Sequence, residues 1–202
     1  IEADNQDYVK MNNDSIEEWS KLKPESQESI KIVMRCYQQS HAYLAMYFFT
    51  TIEREFFYQF IEPYQNTLIN NLQDELTVPT SKYFLTEQIL LGKRNFTLGS
   101  IGFINAFTQN EKYYSISKVV GRYRSLLGSR LDLLNEISEK FISIKFNDRN
   151  LVEIRNAIAH GRENLEQIIQ IHFYECMFNE LLYGTTSLLK LFVSSDRPVN
   201  PR

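Results

Sequence analysis

The sequence predicts an all-α bundle of six to eight helices. Three observations lead there. The 202 residues include only 7 Gly and 5 Pro, too few turn formers for a β-sandwich, which breaks about every ten residues. Apolar residues recur at helical spacing over long stretches. No run shows the alternation of a strand. Hydrophobic residues make up 43% and charged residues 23%, a globular balance in a chain long enough to bury a core.

Residues 1–13 are polar and form a loose lead-in. A single helical domain is expected over 14–193, with 194–202 a polar tail. Asp14-Ser15-Ile16-Glu17-Glu18 is a capped helix start, its carboxylates complementing the helix dipole. Pro24 suits the first turn of the next helix. From Glu25 to about Ile61 breakers are nearly absent, so one long helix or two consecutive ones should end at Pro63. Tyr64 to Leu76 can add another, before a break at Thr77-Val78-Pro79-Thr80. Lys82 to Leu91 is a short helix closed by Gly92. Ser100 to Phe107 follows, then Ser115 to Leu127 and Ser129 to Ile144, parted at Gly128. Asn147-Asp148 is a turn and cap for the next helix. Glu163 to about Val193 should form one long final helix.

Charge is uneven. Residues 1–30 carry eight acids against three lysines, a net of −5 within the chain's −3, which leaves +2 for the remainder. The total does not mark a nucleic-acid binder, yet a local basic face fits the remainder. Cys36 and Cys176 form no CxxC pattern and suit a reducing cytoplasm. The longest apolar run, Ala42–Phe49, falls far short of the ~20 residues that cross a bilayer, so no membrane is expected. The first residue is Ile1 rather than Met, so further domains of a longer protein can lie outside the chain.

Chemistry concentrates in Ile154-Arg155-Asn156-Ala157-Ile158-Ala159-His160-Gly161. On a regular helix Arg155 and His160, five residues apart, diverge by roughly 140°. Asn156 and His160, four apart, share a face. Spacing alone favours a plain helix end, with Gly161 at its C′ position and His160 complementing the dipole.

This stretch resembles the motif of the HEPN superfamily: an Arg, a polar residue, three more residues and a His, late in an all-α domain and ahead of a terminal helix. Members with this motif are metal-independent endoribonucleases, found as toxins, abortive-infection proteins and nuclease domains of RNA-guided effectors. Two motifs meet across a dimer to make one site. The resemblance implies that Arg155, Asn156 and His160 are catalytic, that no metal or other cofactor is used, and that the chain is a cytoplasmic homodimer acting on single-stranded RNA or tRNA in antiviral defence. An antitoxin or a larger defence complex would be a further partner. It also implies attack by the ribose 2′-hydroxyl, giving a 2′,3′-cyclic phosphate and a 5′-hydroxyl. An imidazole titrating near ~6.5 can move that proton at neutral pH, and an always-charged guanidinium matches phosphate oxygens. Some members carry a tyrosine two residues after the histidine. Here that position is Arg162, which removes support for an antitoxin that modifies it and adds a cation. The alternative is a non-catalytic HEPN-like module that dimerises or binds RNA within a larger protein.

Lys112, Lys118, Arg122, Arg124 and Arg130 are five cations with no acid between Lys112 and Arg130, interleaved with Tyr113, Tyr114 and Tyr123. Such a run suits an RNA-binding face or, equally, a solvated helix surface. His172 and Cys176 sit four apart without further ligands, so a metal site is not expected. His41 is a core-edge histidine. Glu53 and Glu55 point apart on a helix and make no carboxylate pair. The aromatic stripe from Tyr43 to Phe60 is core material whose surplus could serve a dimer interface.

Overall fold

The computed structural model describes residues 19–36, 42–76, 84–160, 176–183 and 187–194. These residues are mostly helical, with one two-stranded hairpin. Helix α1 (Pro24–Cys36) opens on proline and carries Glu25 in its first turn. The Lys23 amide donates to Glu55 Oε1 at 2.9 Å, which ties the start of α1 to buried Glu55 on α2 (Ala42–Phe56). The expected helix over 14–19 lies almost wholly outside the described residues.

Pro63 does not end the helix that precedes it. After Phe56 the chain takes a π-helical turn, Phe57–Ile61, in which the Glu62 amide reaches back to the Phe57 carbonyl. It then continues as α3 (Glu62–Leu72), with Pro63 near its start. A proline lacks the amide that a helix interior demands, and a register change just before it meets that constraint without stopping the helix. The turn is held from outside, because the Tyr123 hydroxyl donates to the Phe60 carbonyl at 2.5 Å.

The middle of the chain follows its punctuation. Helix α4 (Phe84–Leu90) ends at Gly92, whose φ of +67° permits the amides of Lys93 and Arg94 to fold back on the Gln88 carbonyl at 2.8 and 3.2 Å. Helix α5 (Ser100–Gln109) leads through the single turn α6 (Glu111–Tyr114) to α7 (Lys118–Leu127), whose Val120 amide is capped by Ser117 Oγ. Gly128 separates α7 from α8 (Arg130–Ser143).

One expectation changes before the motif. Asn147 and Asp148 both take positive φ, 49° and 63°, and turn a hairpin between β1 (Lys145–Phe146) and β2 (Arg149–Asn150). Residues with short polar side chains tolerate that backbone, and two such positions suit a two-residue hairpin. The cap of α9 (Leu151–His160) is instead Asn150. Its Oδ1 accepts the Glu153 amide at 3.0 Å, and Glu153 Oε2 accepts the Asn150 amide at 2.8 Å. This reciprocal capping box satisfies two otherwise orphaned donors.

The final helix is not continuous. A π-helical stretch, Phe178–Tyr183, is separated from α10 (Leu188–Ser194) by Ser187, which is not helical. The part of the expected helix over 163–175 lies outside the described residues. The core is strongly aromatic, with Phe49, Phe56, Phe60, Tyr123 and Phe192 fully buried. Phe56 stacks on Phe96 at 5.3 Å, and Tyr123 meets Tyr64 edge-on at 5.8 Å. Of the stripe over 43–60, Phe48, Phe49, Phe56 and Phe60 are therefore core, while Tyr47, Phe57 and Tyr58 are half-buried. Among the described residues, the large exposed apolar side chains are Leu85, Phe103, Ile116 and Ile142. No described helix is long and apolar enough to cross a membrane.

Candidate functional site

Helix α9 shows how its sequence sorts side chains. Leu151, Ile154 and Ala157 recur every three residues and are buried. They seat the helix against α2. Its first turn also meets the start of α5, where a Cβ added to Gly99 would lie 3.6 Å from Val152 Cγ1. Glu153, Asn156, Ala159 and His160 are exposed on the opposite side. Arg155 stands between the two faces and is half-buried.

Arg155 Nη1 donates to Asn156 Oδ1 at 3.2 Å. The asparagine amide is thus engaged by the arginine, and no hydrogen bond joins it to His160 among the described residues. His160 is the last residue of α9 and is exposed. The helix separates Arg155 from His160 as its geometry requires. The three motif side chains sit at one edge of the molecule, but one chain does not bring guanidinium and imidazole together. Gly161 and Arg162 lie outside the described residues.

The structure adds one partner that the sequence did not suggest. Glu53, on α2, lies within electrostatic reach of Arg155. Burial raises its carboxyl pKa above the ordinary value of 4.5, and this outweighs the lowering by Arg155 and by a hydrogen bond from the Leu98 backbone. The folded chain therefore keeps the Glu53 proton at pH values where the unfolded chain has lost it. Stability falls as pH rises through the window that begins near 4.5. Glu53→Gln is expected to raise the melting temperature at neutral pH, and the gain should vanish in thermal scans below that window. An unchanged difference at both pH values would contradict the assignment.

Glu53 also lines a cleft of about 490 Å³ between α2 and the segment that follows α4. Arg54 and Tyr58 stand on the α2 side, and Arg94, Asn95 and Phe96 on the other. Glu53 and Glu55 do diverge: Glu55 is buried, accepting the Lys23 amide and Gln59 Nε2 at 3.2 Å.

The basic run between Lys112 and Arg130 is not one face. Lys112 and Arg122 are exposed. Lys118 is exposed and pairs with Glu75 at 2.8 Å. Arg124 is half-buried, with its guanidinium 4.5 Å above the Tyr114 ring and Nη1 donating to the Thr108 carbonyl at 2.9 Å. Arg130 turns into the core. Its guanidinium lies 4.8 Å over the Phe60 ring, its nitrogens are buried, and the polar group it faces is the Tyr64 hydroxyl. Burial there pulls its pKa below the ordinary value, partly offset by Tyr64 and Tyr123. Tyr123 is fully buried and offers no ring to a nucleotide, while Tyr113 packs edge-on against Phe107 at 5.1 Å. Arginine stems and tyrosine rings are amphipathic, so their charge and aromaticity in sequence do not say which side they face.

No group of three or more His, Cys, Asp or Glu residues suited to a metal occurs among the described residues. Cys176 is half-buried and is in no disulfide among the described residues, and His172 and His41 lie outside the described residues. No family model, curated protein or solved structure matches the chain.

Proposed function

We propose that the chain is a metal-independent endoribonuclease of the HEPN type, acting as a homodimer on single-stranded RNA or tRNA in a prokaryotic defence or toxin system. The observation that supports it best is the placement of the motif. His160 and Asn156 are exposed on the outward face of α9, with Arg155 at its edge holding Asn156, rather than His160 being packed into its own helix end. A second copy presenting the same edge would set Arg155 of one chain opposite His160 of the other. Such self-complementary contact is the ordinary geometry of a two-fold dimer.

The chemistry follows from the residue types. His160 removes the proton of the ribose 2′-hydroxyl as that oxygen bonds to the adjacent phosphorus. The bond from phosphorus to the 5′-oxygen breaks, and His160 returns the proton to the departing oxygen. Arg155 carries the charge that builds on the non-bridging oxygens. The products are a 2′,3′-cyclic phosphate and a 5′-hydroxyl, and DNA, without a 2′-hydroxyl, is not cut.

The test is incubation of the native protein with labelled single-stranded RNA and tRNA in EDTA, with end-group analysis of the fragments. Cyclic phosphate ends from RNA, and an intact 2′-deoxy substrate, are the expected result. RNA that is bound but left whole would favour the non-catalytic module.

A further inference from the structure

The cleft beside Glu53 carries chemistry that the motif does not use. Two of the elements that wall it each contribute a guanidinium, Arg54 from α2 and Arg94 from the segment after α4. Arg54 Nη1 donates to Ser29 Oγ at 3.3 Å, which braces the side chain from behind. The Arg94 side chain is exposed, and its guanidinium makes no hydrogen bond or ion pair among the described residues. Its backbone is fixed, however: the left-handed Gly92 closes α4, and Gln65 Nε2 donates to the Ile89 carbonyl at 2.9 Å, joining that helix end to α3. The neighbouring cation is turned elsewhere, since Lys93 Nζ donates to the Gln73 carbonyl at 2.5 Å.

Two aromatic rings, their planes inclined at 68°, and an amide also line the cleft. Phe57 and Tyr58 line the cleft, and Lys23 Nζ sits 4.0 Å from the centre of the Tyr58 ring. Asn95 adds a donor and an acceptor at the mouth. Glu53 is the one acid among the lining residues. Arginines that grip phosphate, a ring that stacks a base and an amide that bonds a base edge or ribose are together the requirements of a nucleotide. The volume, about 490 Å³, lies within the range of small-molecule sites. The cleft also lies near the motif, because the helix that supplies Glu53 and Arg54 to its wall is the one against which α9 packs.

We propose that this cleft is a nucleotide subsite for single-stranded RNA, with Arg54 and Arg94 on a phosphate, Tyr58 against a base and Asn95 on its edge, next to the Arg155 position. It rests on RNA being the substrate, and its placement has the strand pass from the cleft to the α9 edge. Nucleotides held there select single-stranded substrate, since a paired and stacked base has no free face for Tyr58.

The experiment is fluorescence anisotropy of a short end-labelled single-stranded RNA at low salt in EDTA, using the native chain, Arg94→Glu, Tyr58→Leu and Lys93→Glu. Lys93→Glu makes the same charge change one residue from Arg94 but outside the cleft. Circular dichroism checks that each variant is folded. Arg94→Glu is expected to weaken binding roughly tenfold or more and to reduce the dependence of log affinity on log salt by about one. Tyr58→Leu should weaken it by roughly tenfold, and Lys93→Glu by much less. If RNA binds and both cleft variants bind it like the native chain, the subsite is overturned while the nuclease reading stands. If the cleft variants lose binding although the native chain cleaves nothing, the subsite stands and the nuclease reading falls. Adenosine monophosphate provides the second arm. Tight binding of the free nucleotide that Arg94→Glu abolishes, with RNA affinity unmoved, would assign the cleft to a soluble nucleotide and overturn the RNA subsite.

Discussion

His160→Ala should lower RNA cleavage in EDTA by about 10²–10⁴-fold, and Arg155→Ala by about 10²–10³-fold. Both losses should appear with the fold intact, because the side chains contribute little to packing. His160 is exposed at the end of α9, and the buried contacts of that helix are made by Leu151, Ile154 and Ala157. Arg155 differs slightly, because it also lowers the pKa of Glu53. Its removal leaves the burial of that carboxyl opposed only by the Leu98 backbone hydrogen bond, so Arg155→Ala should extend to higher pH the window over which stability falls. Arg155→Lys should recover only part of the activity, since an ammonium is a point charge and lacks the planar fork that meets two phosphate oxygens. Single-turnover rates on one labelled RNA separate these outcomes. Variants that retain native rates would remove the motif from the chemistry.

Gly121→Ala should cause the largest loss of stability of any single added methyl described here, roughly 2–4 kcal/mol. Gly121 lies in the first half of α7, directly under α6. A Cβ at this position would stand 2.7 Å from the Tyr114 carbonyl oxygen. That neighbour is backbone, so it cannot swing aside as a side chain would. Tyr114 is also held by Arg124 above its ring, and Tyr113 by Phe107. Relief therefore means moving all of α6 or bending α7. For a chain of this size the expected drop in melting temperature is about 5–15 °C. Gly99→Ala is the comparison, because its Cβ would meet Val152 Cγ1 at an ordinary 3.6 Å and should change stability much less. Equal melting temperatures for native and Gly121→Ala chains would contradict the close approach of α6 and α7.

The all-α architecture was legible because its signals are local. Gly92 and Gly128 mark helix ends through their own φ, and Ser117 caps α7 through a contact three residues away. Pro63 misled because its meaning depends on the turn before it. A π-helical turn is set by tertiary contacts, here Tyr123 on the Phe60 carbonyl, which no local pattern announces. The hairpin over 145–150 was missed because two-residue strands are too short to alternate. At the candidate site, the motif and the divergence of Arg155 from His160 could be read from spacing on a helix. The nearness of Glu53 to Arg155 could not, since it depends on α9 packing against α2. The only local hint was a run of three charges, Glu53, Arg54 and Glu55, inside an otherwise aromatic stretch. The inward turn of Arg130 and Tyr123 is equally tertiary.

The central claim is that α9 supplies half of a site completed by a second copy. Mixing two inactive variants tests it most directly. Arg155→Ala and His160→Ala chains are combined in equal amounts, allowed to exchange subunits, and assayed for RNA cleavage in EDTA. In a mixed dimer one Arg155–His160 pair across the interface loses both groups and the other keeps both. The account predicts recovery of about a quarter of native activity, since half of the dimers are mixed and each keeps one of its two pairs. A mixture as inactive as its separate components, from a native protein that does cleave RNA and a preparation in which exchange is verified, would contradict it.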